Sequence, residues 1–481
     1  MSFLLTAWEE GIRLGSNRPA VVAGRARIGN GGLYILAIYR NVKRVLVLLA
    51  YTFTLSLTWP SLGTAQEAEP EGDASFSLHD NERVVLLGNG YFEREAESGY
   101  LETLLTSRYY DQGITFRTLG WAGDTVNVQL RPRNFPTLRQ SVNDQHPDVA
   151  FVMYGMNEAF AGEAGLEPFR EGYESFLDLL GRGAGSRVVL LSPTQHFVNE
   201  SPVPDAKELN ASVGLYAEVV RRVAASRGIP FANLYKAVGA RDSAGPRSSA
   251  DANDATDLKL SSDGIHLSDL GYWLAGIAVE QELGLATPTW TVAINGEKID
   301  ASGTTISDVQ VEEGGISFVT KDARLPLPVP PVSTSSDDNE VPQLARGIWA
   351  TRRLQIIGLS AGKYVLRVDG TLVVSASAAA WAEGVVLTTG PEFDQVEALR
   401  ELIVAKNRLF FYIWRAHNGE YSIGRRSDAD RESEAARFEY KGHFKDDNEA
   451  LETMIEEHEQ EIATLATPAQ HKYELSRQRT E

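Results

Sequence analysis

Asp263 and His266 stand three residues apart in the stretch SSDGIHLSDLGYWLAG. A carboxylate at that spacing can hold an imidazole in one tautomer. The other ring nitrogen is then left to take a proton from a nucleophile or from water. The spacing does not match the paired-histidine motif of many metal-dependent hydrolases, so no metal site is expected. In FVMYGMNEAF, Asn157 follows an apolar run and Gly155, where its amide could donate to a developing oxyanion. Glu158 is its neighbour, but adjacency alone does not make a catalytic pair. In TLGWAGDTV, Gly120 and Gly123 could let the backbone approach an anion, with Asp124 or Thr125 adding polar contacts. Trp121 and Tyr154 fit a carbohydrate-lining role or a packed rim equally well. His196, after VVLLSPTQ, either approaches the same groove or hydrogen-bonds within its loop. Each stretch taken singly has a plain structural explanation as a turn, a cap or a satisfied loop. Their combination carries the functional expectation.

These residues need a scaffold that ends its strands on one edge. Five short apolar runs supply it: VVLL, ITFRTLG, DVAFVMYG, RVVLLSP and PFANLY. Several lack polar alternation, as strands covered on both faces of a parallel sheet do. Between them, Phe169, Tyr173, Phe176 and Leu180 fall at helical spacing, and DAKELNASVGLYAEVVRRVAASRG reads as an amphipathic helix closed by Gly228. A further helix is expected within HLSDLGYWLAGIAVEQELG. Ligands of open parallel sheets bind at the C-terminal strand ends. There the first run, VVLLGNGYFERE, enters the turn Gly88–Asn89–Gly90, at the place where an α/β hydrolytic domain positions its nucleophile. Gly90 has no side chain to offer.

The 481 residues carry a formal charge of −19, which argues against nonspecific nucleic-acid binding. There is no cysteine, so disulfides, thiolate metal sites and cysteine nucleophiles are excluded. We expect residues 1–41 to be an N-terminal extension and 42–65 a signal peptide or membrane anchor. In that segment Lys43 and Arg44 precede an apolar run, with small residues at Gly63 and Ala65. The protein is therefore expected to be exported, periplasmic or extracellular, or membrane-anchored if the segment is retained. Residues 66–80 read as an acidic linker and 81–284 as the α/β domain. Residues 285–380 follow as a β-rich accessory region containing the connection PLPVPPVSTSSDDNEVP, whose prolines exclude a central strand. Residues 381–470 read as mainly helical. There Leu451, Ile455, His458 and Ile462 mark a packing face in a charged helix, and FFYIW offers apolar anchors for an interface. Residues 471–481 read as a flexible tail.

In order along the chain, the four chemical stretches resemble the SGNH/GDSL hydrolase superfamily. The likeness spans Asn81 to Gly284. It implies a flavodoxin-like three-layer fold with a groove at the strand ends. Gly88 matches the glycine of the family's Gly-Asp-Ser block, Asn89 replaces its Asp, and Gly90 replaces the nucleophilic Ser. Gly120 or Gly123, with Gly123 preferred, matches the oxyanion glycine, and Asn157 matches the oxyanion asparagine, followed by Glu158 in place of the usual Asp. Asp263 and His266 match the catalytic pair, with HLSDLGY after them. NGYFERE, YGMNEAFAGEAGL and NRLFFYIWRAHNGEYSIGRR are similar, more specifically, to long secreted SGNH/GDSL-type proteins of planctomycetes and related bacteria. Some relatives carry haem modules, but no Cys-x-x-Cys-His is present here and no cofactor is expected. The resemblance implies ester hydrolysis on a small ester or an acylated glycan, with a cell-envelope partner for the accessory regions. A glycine at position 90 excludes a normal acyl-enzyme there. Three routes stay open: water activated by His266 and Asp263, a displaced hydroxyl such as Ser98, Thr125 or Ser262, or a ligand-binding or scaffold role without turnover.

Overall fold

A computed structural model describes residues 76–131, 135–183, 185–197, 206–242, 260–261, 263–286, 289–312, 314–328, 352–415 and 432–478. The proposed extension, the signal segment, most of the acidic linker, Ser262 and the greater part of the Pro/Ser-rich connection lie outside the described residues. Five strands, β1 (Arg83–Gly88), β2 (Thr115–Gly120), β3 (Val149–Met153), β4 (Arg187–Leu191) and β5 (Phe231–Ala232), form a parallel sheet in the order β2-β1-β3-β4-β5. These are the five runs expected from the sequence, in flavodoxin-like order.

The unbroken hydrophobicity of the strands has a direct cause. Consecutive β1 side chains point to opposite faces, and both faces are covered. Val84 and Leu86 enter one core with Tyr91, Phe92, Leu101 and Trp273. Those residues come from α1 (Gly90–Ser98), α2 (Tyr100–Arg108) and, after four further α-helices in the chain, Asp269–Glu282. Val85 and Leu87 enter a second core with Phe169, Tyr173, Val213 and Tyr216. Here the partners come from the helices Leu166–Gly183 and Ala206–Arg227. With α3 (Leu138–Gln145) first, we number these α4 and α5, then α6 (Leu234–Asp242) and α7 (Asp269–Glu282). Burying each such side chain contributes about 1.5–3 kcal/mol. The linker expected to run to residue 80 ends sooner. Phe76 and Leu78 are buried in the first core, where Phe76 packs edge-on against Phe151.

The accessory region is a pair of sheets. β6 (Trp290–Asn295), β7 (Lys298–Ser302), β10 (Arg352–Ile357) and β13 (Val385–Val386) form one, in the order β13-β10-β6-β7. The other contains β8 (Thr304–Glu312), β9 (Gly315–Asp322), β11 (Lys363–Val368), β12 (Thr371–Ser377) and β14 (Gln470–Arg477), in the order β12-β11-β14-β9-β8. The two sheets share a core of Trp290, Ile294, Phe318, Leu354, Leu366 and Tyr473. The expectation of a flexible tail from residue 471 is therefore corrected, since β14 pairs on both sides, with β9 and with β11. Its alternation buries His471, Tyr473 and Leu475 and turns Gln470, Lys472 and Ser476 outward.

The helix Ala378–Glu383 (α8) joins β12 to β13, and α9 (Pro391–Trp414), which follows, pairs with α10 (Glu432–Ala466). Ile455 and Ile462 of α10 are buried, as their spacing implied, whereas His458 is only partly covered. Phe410 joins the second core of the α/β domain, so the aromatic stretch serves as an interface anchor. Lys406 of α9 is fully buried and donates to Glu102 of α2 and to the Phe116 carbonyl. Asn407 donates to the other Glu102 oxygen at 2.9 Å. Among the described residues, no helix is long and apolar enough to cross a membrane.

Candidate active site

The site gathers at the C-terminal ends of β1, β2 and β3 and in the turn before α7. β1 must end in glycine, because a Cβ at Gly88 would sit 2.3 Å from the Met153 carbonyl oxygen. Asn89 then caps α1, its side-chain oxygen accepting the Tyr91 N–H at 3.1 Å. Gly90 opens the helix. A Cβ built there would lie 3.8 Å from His266 Nε2 and 3.7 Å from the Ala122 Cβ, both ordinary contacts. A side chain at position 90 would therefore fit and would lie beside the imidazole.

His266 is oriented as its spacing to Asp263 predicted. Asp263 Oδ2 lies 2.7 Å from His266 Nδ1. Asp263 Oδ1 accepts the N–H groups of Ile265 at 2.9 Å and His266 at 2.8 Å. Burial alone would raise the Asp263 carboxyl. Hydrogen bonds from the His266 ring and from both N–H groups outweigh it, holding the group well below the usual carboxylate range. An ionised Asp263 keeps the proton on Nδ1 and leaves Nε2 basic toward Gly90.

A small open pocket joins His266 to the other two strand ends. Asn89, Gly90, Gly123, Asn157 and His266 all line it. Asn157 donates one amide N–H to the Asp124 carbonyl at 3.0 Å, which fixes the side chain, and an amide has a second N–H to offer. Gly123 adopts φ 87°, where a side chain would be strained and glycine is not.

The remaining candidates lie outside the lining. Gly120 is a packing glycine, since a Cβ there would strike Glu93 N at 2.3 Å. Trp121 is flanked by the guanidinium groups of Arg131 and Arg415, 3.9 and 3.5 Å from ring centroids, and meets Trp414 edge-on. Asp124 is buried and held by Arg131 through two bonds of 2.8 and 2.6 Å. Thr125 exchanges hydrogen bonds with Val128 in a local turn. Glu158 clamps two loops by accepting the N–H groups of Val126 at 2.8 Å and Gly155 at 2.9 Å. Burial pushes its carboxyl up despite those bonds. Tyr154 is fully buried in the second core. Ser98 sits at the far end of α1, bonded to Glu95 at 3.0 Å, and does not reach the pocket.

His196 is buried, and neither ring nitrogen has a hydrogen-bond partner among the described residues. Burial first, and then the charge of His266, hold its pKa below the ordinary histidine range. Its loop is pinned to the turn between Asp263 and His266 by the Phe197 N–H, which donates to the Gly264 carbonyl at 2.9 Å.

Sequence reasoning missed several lining residues: Tyr91, Ala122, Met156, Thr194, Ile265, Leu267 and Tyr272. Thr194 follows β4 at the productive sheet edge, a position that could have flagged it. The brace behind the second loop had no local signal. Glu93 Oε2 accepts the Ala122 N–H at 2.7 Å and the Arg415 guanidinium at 3.0 Å, so the end of α9 supports the loop that carries Gly123. No cluster of three or more metal-ligating side chains occurs among the described residues.

Residues 87–274 match the GDSL-like Lipase/Acylhydrolase family. No curated protein matches the chain by sequence. Among solved structures, a gut microbial diltiazem-metabolizing enzyme superposes with a TM-score of 0.62 at 16% identity, covering 85% of this chain and 100% of its own. A lipase/acylhydrolase from Enterococcus faecalis is 22% identical over 42% of this chain and 96% of its own, with a TM-score of 0.30. A GDSL-like lipase from Bacteroides thetaiotaomicron is 20% identical over 42% and 88%, with a TM-score of 0.28. The α/β domain thus has the SGNH hydrolase fold, and the family match falls within it.

Proposed function

We propose that the pocket hydrolyses esters, with small esters and O-acylated carbohydrates as the substrate class, through a water molecule activated by His266. The placement of His266 Nε2 opposite Gly90 carries this reading, because it leaves a base facing the point of attack with no protein oxygen between them. Water takes the place of the missing serine oxygen and passes its proton to Nε2. Asp263 holds the tautomer and stabilises the imidazolium that forms. The Gly123 N–H and the free Asn157 N–H receive the tetrahedral oxyanion. The proton on Nε2 then goes to the departing alkoxide. Gly90 in place of the usual serine, within a long exported subfamily of this type, is part of the same proposal. Export rests on the basic flank and apolar run of residues 42–65.

The test is acetate release from a panel of aryl and sugar acetates. His266→Ala is expected to lose about 10^2-fold or more, the scale of a general-base contribution. Equal background release by wild type and variant, together with calorimetric binding of the same glycans, would replace the hydrolase reading with a binding or scaffold role.

A further inference from the structure

The loop from Trp121 to Asp124 carries Gly123, and its four N–H groups are unequally employed. The Trp121 N–H donates to the Gly88 carbonyl at 3.0 Å, and the Asp124 N–H closes a turn on the Trp121 carbonyl at 3.0 Å. The Ala122 N–H donates to Glu93 Oε2 at 2.7 Å. The Gly123 N–H has no acceptor among the described residues. The loop is thus tied on both sides of Gly123, and the N–H between the ties is left for a ligand.

The tie at Ala122 leads out of the α/β domain. Glu93 Oε2 also accepts Arg415 Nη1 at 3.0 Å, and Arg415 directly follows α9. The same guanidinium stacks 3.5 Å from the Trp121 ring centroid and approaches the Gly120 carbonyl at 3.5 Å. Trp414 meets Trp121 edge-on, with centroids 5.5 Å apart. One side chain of the accessory region therefore touches the carboxylate, the ring and the carbonyl that fix this loop. Glu93 is partly exposed, so without its cation the carboxylate regains rotamers that release Ala122.

We propose that Arg415 is a positioning residue for the reaction at His266: through Glu93 and Trp121 it aims the Gly123 N–H at the oxyanion, so that α9 completes the active site. This rests on the ester chemistry assigned above to His266 and Asp263. Arg415 does not line the pocket and takes no part in proton transfer. Its loss should therefore slow the step that forms the oxyanion and leave substrate capture unaltered, since a misplacement of about 1 Å can cost about 10^2-fold in rate. Lysine at this position keeps the charge without the planar face that stacks on Trp121, so it should restore only part of the rate.

The experiment follows p-nitrophenyl acetate hydrolysis by the full chain and its Arg415→Ala, Arg415→Lys and Arg400→Ala variants, with hydrogen–deuterium exchange across the loop. Arg400 is the control, because it lies on α9 too but donates to the Ser98 carbonyl at 2.7 Å, at the far end of α1. Arg415→Ala should lose about ten-fold or more in kcat with KM nearly unchanged, and the Ala122 N–H should exchange faster. Added guanidinium ion should recover part of that kcat, Arg415→Lys should fall between, and Arg400→Ala should keep wild-type kcat and loop exchange. Wild-type kcat and exchange in Arg415→Ala overturn the positioning role and leave hydrolysis standing. Faster exchange at unchanged kcat overturns the link between this loop and the oxyanion, and equal losses in Arg415→Ala and Arg400→Ala reduce Arg415 to a general stabiliser. Absence of His266-dependent turnover in wild type overturns the hydrolase reading instead, and the loop exchange alone then decides whether Arg415 holds the loop.

Discussion

On the reading proposed above, Gly90 stands where a serine hydroxymethyl group would face His266. The Asn89 cap, the 3.8 Å approach to His266 Nε2 and the Asp263–His266 hydrogen bond of 2.7 Å are what a serine at that point would need. Gly90→Ser should therefore create a covalent serine esterase. We expect labelling by a fluorophosphonate probe, a burst of p-nitrophenol, and turnover raised at least about ten-fold, a barrier change of only about 1.4 kcal/mol. A variant that folds, stays unlabelled and gains nothing would show that position 90 does not address the imidazole. At this scale the sequence was informative where chemistry is local. Asp263 and His266 are three residues apart, and Asn157 and Gly123 follow strands, so their spacing and setting pointed to the site. Glu93 and Arg415 are 322 residues apart, and nothing near either one announces their bond.

The junction between α1 and α2 depends on Glu95, a fully buried carboxyl that accepts the Leu101 N–H at 2.6 Å and the Ser98 hydroxyl at 3.0 Å. Burial pushes its pKa up from 4.5 to about 8, opposed by those hydrogen bonds and assisted by the nearby Glu102 charge. Because the folded-state value exceeds the unfolded one, the fold favours the protonated carboxyl. That stabilisation is complete below about pH 4.5 and is lost as pH rises through about 8. Glu95→Gln keeps a neutral acceptor at every pH. Its urea midpoint should match wild type near pH 5 and exceed it near pH 9, and parallel curves across that range would contradict the assignment. Element types were largely legible, because unbroken apolar runs mark strands covered on both faces and Phe169, Tyr173 and Leu180 mark a buried helical stripe. β14 escaped because its short alternation follows a long charged helix, and its partners β9 and β11 are remote in sequence.

Across the whole molecule, the α/β domain and the α9–α10 pair are joined by a buried polar contact as well as by apolar packing. Lys406 is paired with Glu102, and both are almost fully buried. Burial lowers the lysine's pKa while the carboxylate opposes the shift. Lys406→Met should destabilise the protein by about 3–5 kcal/mol, because Glu102 is left as a buried charge with Asn407 as its remaining side-chain donor. Adding Glu102→Gln should recover much of that loss, and denaturant midpoints of both variants test the pairing. If the double variant were as unstable as the single one, the pair would be contributing by shape rather than by charge.

β14 lies between β9 and β11, yet it is made long after both of them. While the chain is being synthesised, residues 81–284 can condense early, because all five parallel strands belong to that span. The two accessory strands must wait with unpaired edges until residues 470–477 arrive. Unpaired strand edges are adhesive, so an interrupted chain would carry a completed α/β domain beside two open templates for aggregation. A chain that stops short of residue 470 therefore lacks the strand that closes both edges.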